Sequence, residues 1–354
     1  MIRYAEPPEG DENLAKPANR SLPDMTSDTA QGILSLQGPF PLHHGGSLPG
    51  LRVAWRLEGA AGGPVVGALG GISAHRRIFS LVDRRAGWWP ELAGPGLPLD
   101  SSRFRLLGFD FLGGSGETTH APPGGPALPP ISSYDQAALL AALCDELGIG
   151  KLHAIVGASY GGMVALAFAE RHPARVDRLL VIGAAHRTNP MATAWRCVER
   201  EAVRFGIARG DGPGGLRLAR ALAMATYRTR AEFERRFDGD PQVEDGRMVF
   251  PVERYLFARG DEYARRYAPE AFMCLSESID LHRINPEAVK APAALVAVTE
   301  DQLVTIDDMR ELAARIGGPA RFYELRSLYG HDAFLKERKQ LEPAFAWALD
   351  GDTR

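Results

Sequence analysis

Apolar and polar residues alternate along Leu51-Arg-Val-Ala-Trp-Arg-Leu57 with the two-residue period of a half-buried strand. Pro64–Leu69 and Phe104–Phe109 are short apolar runs, each leading into a glycine-rich stretch (Gly70-Gly71 and Gly113-Gly-Ser-Gly116), and both read as buried strands. A Pro/Gly loop over 121–130 follows, and the period then becomes helical. Leu139, Leu140, Leu143, Cys144 and Leu147 share one face, Ser133 and Gln136 form a capping box, and Gly148 ends the helix. Next come a strand (Leu152–Val156), a helix (Met163–Glu170, closing near His172-Pro173) and a strand (Arg178–Ala184). Strand, helix, strand, helix, strand in close succession predicts parallel pairing with covering helices. The strand rhythm then stops. From His186 to Pro286 the patterns are helical only, at 191–206, 215–227, 230–237, 251–266 and 269–282. The rhythm resumes with a strand at Ala293–Val298, a helix at 306–316, a strand at Arg321–Leu325 and a closing helix. Residues 1–30 are rich in Pro, Asp, Asn, Ser and Thr, and carry too little apolar surface to order themselves. The expected organisation is therefore a flexible tail (1–30), an α/β core (31–185 and 287–354) and a helical lid (186–286) over one edge of the sheet.

Within that frame one stretch carries chemistry. Gly157-Ala-Ser159-Tyr-Gly161 sits between a strand and a helix, and it has the Gly-x-Ser-x-Gly pattern of a nucleophile elbow. The small flanking residues allow a tight turn and close backbone approach, and the turn lifts the serine oxygen above the sheet edge. The expected architecture is the α/β-hydrolase fold, whose acid and base follow the serine in the order Asp/Glu then His, each on a loop after a strand. A serine hydroxyl needs such a base. Asp301, just past Ala293–Val298, stands ahead of Glu300, Asp307 and Asp308 as the acid. His331, in the loop after the last strand, is the base. Two donors for an oxyanion are expected, the N–H of Tyr160 and the Gly70–Ser73 loop, with Gly71 and Ile72 at its centre.

Bulk properties narrow the partners. The formal net charge of the 354 residues is -3, from 41 basic and 44 acidic side chains without a block of one sign, so neither nucleic acid nor an anionic membrane is expected. Cys144, Cys197 and Cys274 lack the spacing of a metal or redox site and read as buried small apolar residues; no metal is expected. The opening Met1–Pro8 has no signal-peptide core and no apolar run is long enough to span a bilayer, which together with the sparse cysteines points to the cytoplasm.

The chain resembles the MetX-type homoserine O-acyltransferases. The likeness is carried by Gly45-Gly-Ser-Leu-Pro-Gly50, by Gly87-Trp88-Trp89 with Gly94-Pro95-Gly96, and by the elbow with Gly161-Gly162-Met163. Ala219-Arg220 running to Thr226-Tyr227-Arg228, and Gly330-His331-Asp332-Ala333-Phe334-Leu335, complete it, so that it covers nearly everything from about residue 38. The resemblance implies that Arg220 and Tyr227, two helical turns apart on the lid, hold an amino-acid substrate, and that Asp332 holds its ammonium group. It also implies acyl-CoA as co-substrate with no bound cofactor, an acyl group carried on Ser159, homoserine as acceptor and a place in methionine biosynthesis, while the apolar faces of the lid helices point to a homodimer. Succinyl is read ahead of acetyl as the acyl group, with Arg76 and Arg77 as the cations available to its carboxylate. L-serine, one methylene shorter and so separated by about 1–3 kcal/mol, is the alternative acceptor, and a serine ester hydrolase the alternative activity. Two positions depart from the family pattern: Tyr160 replaces the methionine that follows the nucleophile, and the oxyanion loop reads Gly70-Gly-Ile-Ser-Ala-His75.

Overall fold

In the computed structural model, which describes residues 29–83 and 86–351, two long strands open the chain. β1 (Thr29–Pro41) pairs antiparallel with β2 (Ser47–Gly59), as Thr29↔Glu58 through Pro41↔Ser47. The sheet therefore begins at Thr29, and the tail boundary at residue 30 is set two residues too late; residues 1–28 of that tail lie outside the described residues. β3 (Val65–Leu69) follows, then a two-residue ribbon of β4 (Ala93–Gly94) and β5 (Leu99–Asp100), then β6 (Arg105–Phe109), β7 (Ala154–Ala158) and β8 (Leu179–Ile182). After a long insertion come β11 (Ala293–Val298) and β12 (Ala320–Leu325). The sheet order is β1-β2-β6-β3-β7-β8-β11-β12, antiparallel up to β6 and parallel beyond. This is the mostly parallel sheet of the α/β-hydrolase fold.

Both faces of the sheet are buried, which is why the parallel strands are apolar without alternation. Ile155, Leu179, Val181 and Leu295 pack with α1 (Ser133–Glu146) and α2 (Tyr160–Arg171). Val156, Leu180, Ile182 and Val296 pack with Trp89 and with Leu341 and Phe345 of α9 (Arg338–Asp350). α8 (Ile306–Arg315) joins β11 to β12. The capping box of α1 sits one residue earlier than expected. Ser132 is the N-cap, and both its N–H and its hydroxyl donate to Asp135 Oδ2 at 2.7 Å. Ser133 and Gln136 instead tie the helix to its surroundings: Ser133 Oγ meets His282 Nδ1 at 2.7 Å, and Gln136 bonds the N–H and carbonyl of Leu112.

The insertion between β8 and β11 carries α3 (Pro190–Ala208), α4 (Gly212–Tyr227), α5 (Arg230–Phe237), α6 (Pro251–Ala264) and α7 (Pro269–Asp280). It is not wholly helical. β9 (Gln242–Glu244) and β10 (Arg247–Val249) form a hairpin around Asp245 and Gly246, both at positive φ, the two-residue turn that Asp-Gly favours. α3 is inverted relative to hydropathy. Its buried stripe includes Arg196, Glu199 and Arg200, while Met191, Val198 and Phe205 are 60%, 60% and 55% exposed. Arg196 and Arg200 both pair with Asp280 of α7, at 2.7 and 2.6 Å. Of the three cysteines, Cys144 is buried as expected, Cys274 is half-buried and Cys197 is exposed. No helix among the described residues is long and apolar enough to cross a membrane.

α2 lies close enough to the sheet that side chains are excluded at its first turn. A Cβ on Gly161 would come 2.3 Å from the Leu69 carbonyl oxygen, and one on Gly157 would come 2.3 Å from the Gly161 oxygen. Gly161→Ala is expected to destabilise the fold by about 3 kcal/mol, the scale of overpacking against immovable backbone. Urea unfolding followed by circular dichroism measures this, and an unchanged midpoint would show that α2 has room to shift.

Candidate active site

Ser159 occupies the bend between β7 and α2 at φ 52 and ψ -122, one of two non-glycine residues at positive φ among the described residues. Such a conformation costs about 1–3 kcal/mol. The bend is pinned on both sides, since the Ser159 N–H donates to the Ile182 carbonyl at 2.8 Å and the Ser159 carbonyl accepts from Gly162 and Met163. Its hydroxyl thereby points off the sheet edge to His331.

His331 lies in a 3-10 turn (Gly330–Leu335) after β12, and its Nε2 is 2.8 Å from Ser159 Oγ. Its Nδ1 is 2.6 Å from Asp301 Oδ2. Asp301 is fixed in turn because its Oδ1 accepts the N–H groups of Leu303 and Val304, at 2.8 and 3.1 Å. The neighbouring acids are engaged elsewhere. Glu300 accepts from the Ser327 N–H, Asp308 caps α8 through Thr305, and Asp307 pairs with Arg310. Burial disfavours the charged imidazole, but the Asp301 carboxylate and its hydrogen bond, with Asp332 beyond, outweigh burial and raise the His331 pKa above 6.5.

The expected oxyanion donors lie on either side of the serine. The Tyr160 N–H opens α2 and so has no acceptor within its own helix. Gly71 abuts the nucleophile, where a Cβ built on it would stand 4.0 Å from Ser159 Cβ. The loop is turned by the Ala74 N–H donating to the Gly71 carbonyl and anchored by the Gly161 N–H on the Gly70 carbonyl, both at 2.8 Å. The Tyr160 side chain runs the other way, into the core. Its hydroxyl meets Ser278 Oγ of α7 at 2.6 Å and its ring stands edge-on to Phe111. It is not part of the walls around Ser159.

Two hollows border the hydroxyl, and a third adjoins the first of them. The first, about 160 Å³, is lined by Trp88, Ser159, Arg220, Tyr227, His331 and Asp332 among others. The expected amino-acid-binding trio thus shares one chamber with the nucleophile. The Arg220 guanidinium stacks over the rings of Tyr227 (5.3 Å) and Tyr263 (4.7 Å), and no carboxylate among the described residues forms an ion pair with it. Burial opposes its charge; Tyr227, Tyr263, Asp332 and Glu199 more than compensate and raise its pKa. Asp332 is not bare, because Arg228 Nη2 pairs with it at 3.0 Å. The second hollow, about 40 Å³, lies deeper and is lined by Met163, Arg196, Glu199, Phe272, Ile279 and Val304, together with Ser159 and His331. The third, about 330 Å³, shares Ile72, Ser73, Ala74 and Trp88 with the first and leads out past Ser115, Tyr263, Arg266 and Tyr267.

Arg76 and Arg77 are not at the site. The Arg76 guanidinium pairs with Asp110 and Glu117, and Arg77 borders a separate hollow beside Glu58 and Phe79. The residues that sequence reasoning missed are Arg196, Glu199, Arg228, Tyr263 and Tyr267. The first two had a signal, since Arg196, Glu199 and Arg200 recur at helical spacing on one face of α3. Glu199 is buried among charged neighbours; burial, against Arg196, Arg220 and Arg200, pushes its carboxyl up to about 7.

The sequence profile of the alpha/beta hydrolase fold family matches residues 80–338. The chain is 44% identical to a homoserine O-succinyltransferase from Xanthomonas campestris pv. campestris, over 88% of this chain and 82% of that one. It is 32% identical to a serine O-succinyltransferase from Litchfieldella anticariensis, over 90% and 97% of the two chains. A homoserine O-acetyltransferase from Thermus thermophilus is 34% identical over 73% and 70%. Among solved structures, a homoserine O-acetyltransferase from Bacillus anthracis superposes with a TM-score of 0.81 at 19% identity, covering 92% of this chain and 98% of that one. An acetylester hydrolase from Corynebacterium glutamicum does so with a TM-score of 0.71 at 17% identity, over 89% and 96%. At those identities the structural likeness is one of fold.

A relay of this geometry makes a pH-dependent prediction. Ser159 reacts when the His331 imidazole is neutral, so modification by a fluorophosphonate slows as pH falls through a midpoint above 6.5. Asp301→Asn removes the charge that raises this pKa. It is expected to move the midpoint down and to slow labelling by about 10³–10⁴-fold. Labelling rates between pH 5 and 9 on both proteins measure the effect; a midpoint that stays in place would remove Asp301 from the relay.

Proposed function

Because the chain belongs to the MetX-type homoserine O-acyltransferase family of the α/β-hydrolase fold, we propose that it transfers an acyl group from acyl-CoA to the side-chain hydroxyl of L-homoserine, through an acyl group carried on Ser159. Homoserine acyl transfer belongs to methionine biosynthesis. The observation that carries the residue-level reading is the continuity of Asp301, His331 and Ser159 in the same chamber as Arg220, Tyr227 and Asp332.

The chemistry follows from the geometry. His331 Nε2 takes the proton of Ser159 as Oγ attacks the thioester carbonyl. The negative charge on the carbonyl oxygen is met by the N–H groups of Tyr160 and Ile72. Collapse breaks the carbon–sulfur bond, and the CoA sulfur leaves with the proton from His331. The homoserine hydroxyl then gives its proton to His331 and attacks the acyl-serine carbonyl, and Ser159 departs and recovers that proton. Asp301 holds the imidazole in the tautomer that both halves need. Arg220, a cation with no carboxylate partner among the described residues, suits the amino acid's carboxylate, and Asp332, shared with Arg228, suits its ammonium. The outer hollow past Tyr263 and Arg266 is the route for the extended arm of the thioester. The insertion acts as a lid that keeps water from the acyl-serine. The exposed apolar positions Met191, Val198 and Phe205 on α3 support a second copy packing there, as a homodimer.

For the donor, the deeper hollow supports succinyl over acetyl. Arg196 lines it, and Arg196 Nη2 makes no hydrogen bond although it lies 2.7 Å from Asp280. Burial pushes the carboxyl of Glu199 beside it up to about 7, so Asp280, which also accepts from Arg196 Nε at 2.8 Å, is the main partner with which a ligand carboxylate would share Arg196. An acetyl group presents no anion to such a site.

Two measurements test this reading. Protein mixed with succinyl-CoA alone is expected to release CoA in a burst and to gain one succinyl group on Ser159 by mass spectrometry; neither burst nor adduct with succinyl- or acetyl-CoA would end the acyl-transfer reading. Arg196→Gln is expected to lower kcat/KM for succinyl-CoA by about 10–100-fold, the scale of a lost charged hydrogen bond, while acetyl-CoA is unchanged within about threefold. Equal losses with both donors would assign Arg196 to the fold rather than to donor choice.

A further inference from the structure

Two tyrosines of the insertion reach the loop that abuts Ser159. Tyr263 is on the last turn of α6 and Tyr267 lies just beyond it, four residues on, so the two rings stack at 4.8 Å. The Tyr267 hydroxyl donates to the Ile72 carbonyl oxygen at 2.7 Å. The Tyr263 hydroxyl lies 3.0 Å from Ser73 Oγ. Burial pushes Tyr267 well above the ordinary phenol range, so its O–H stays a donor at any working pH.

Both contacts fall just C-terminal to the atom that matters, the Ile72 N–H. A peptide N–H points opposite to the carbonyl of its own peptide plane. The Ile72 N–H belongs to the plane of the Gly71 carbonyl, which is pinned by the Ala74 N–H at 2.8 Å. The next plane, that of the Ile72 carbonyl, is pinned by Tyr267. With both planes held, the φ and ψ of Ile72 are fixed and its N–H has one direction. The core supplies one support, through Gly161 on the Gly70 carbonyl, and the insertion supplies the other.

We propose that Tyr267, backed by Tyr263, is a positioning residue that sets the Ile72 N–H on the oxyanion, so that the second donor is complete only with the insertion seated. This rests on the acyl-transfer reading for its role in turnover, but not for its geometry. Tyr263 extends the link further, because its ring also carries Arg220 at 4.7 Å. The group that suits the acceptor's carboxylate and the loop that suits the oxyanion thus lean on one side chain.

Tyr267→Phe keeps the ring and its stack and removes the hydroxyl alone. In a rapid-mixing experiment with succinyl-CoA and no amino acid, the burst amplitude counts folded sites and the burst rate reports acylation. The amplitude is expected to persist while the rate falls about 10–100-fold, somewhat less than for outright loss of an oxyanion donor, and KM for homoserine stays within about twofold. Tyr263→Phe is expected to give a smaller fall. An unchanged burst rate, or a raised KM for homoserine with the rate intact, would overturn the proposal. If the native protein gives no burst with any acyl-CoA, the acyl-transfer reading fails on its own. Fluorophosphonate labelling of Ser159, which draws on the same donors, then decides the role of Tyr267 by the same slowing or its absence.

Discussion

The bend at Ser159 is a conformation that L-residues avoid, and it survives because the packing around it leaves no alternative. Gly157, Gly161 and Gly162 let α2 settle onto β3, β7 and β8 at distances that no side chain could share. Met163–Ala169 behind them are buried, so the helix cannot back away to relieve the strain. Every other part of the site is placed relative to this bend. β3 ends in the loop beside it, β11 leads to Asp301, and β12 leads to His331, so the loops after four parallel strands converge on one edge of the sheet. The hydrogen bond between Ser159 and His331 spans 172 residues of chain, and the sheet order alone makes it short.

The second constraint is charge. Ions taken out of water must be paired or neutralised. The insertion pairs most of its own: Asp280 serves both Arg196 and Arg200, and Glu232 serves Arg228 and Arg236. Two groups stand outside this accounting. Arg220 rests on aromatic rings with no carboxylate paired to it among the described residues, and burial raises the carboxyl of Glu199 to about 7. The chamber beside Ser159 therefore holds a positive charge that its own protein does not cancel, the electrostatic condition for an anionic ligand.

Much of this was legible in the sequence. The elbow, the acid and the base follow an order along the chain that reflects the order of strands, and the apolar runs of the parallel strands mark themselves. Asp301 could be chosen over three nearby acids because it stands nearest to where the loop after such a strand carries the acid in this fold. What was illegible depended on partners distant in sequence. β1 is a strand because β2 lies beside it, and its own pattern, broken by Gly32 and Gly38, says little. The capping box slipped by one residue because Ser132 and Ser133 are equivalent as letters, and only the demands of His282 on Ser133 separate them. The Asp245-Gly246 turn was a readable signal inside a region dominated by helices. α3 misleads, since it exposes Met191, Val198 and Phe205 while Arg196, Glu199 and Arg200 are buried beside Ala192 and Val203. Arg76 had the right charge near the right loop, and the Asp110 carboxylate had already claimed it.

The insertion leaves the sheet after β8 and returns at β11, and these two strands are hydrogen-bonded neighbours in the register Leu179↔Ala293. Its two ends close on each other at an Arg187–Arg283 bridge. The sheet would therefore be continuous without it, and the segment is a cassette on a narrow stem. Arg196, Glu199, Arg220 and Tyr227 all ride on the cassette, whereas Ser159, Asp301 and His331 all belong to the frame. The cassette that would choose a ligand meets the frame at a few seams, among them Ile72 and Ser73, the pairing of Arg228 with Asp332, and the contact of Ser278 with Tyr160, so that most of it can drift in sequence without touching the parts that would break and make bonds. One frame can in this way carry a lineage of enzymes that differ in what they accept.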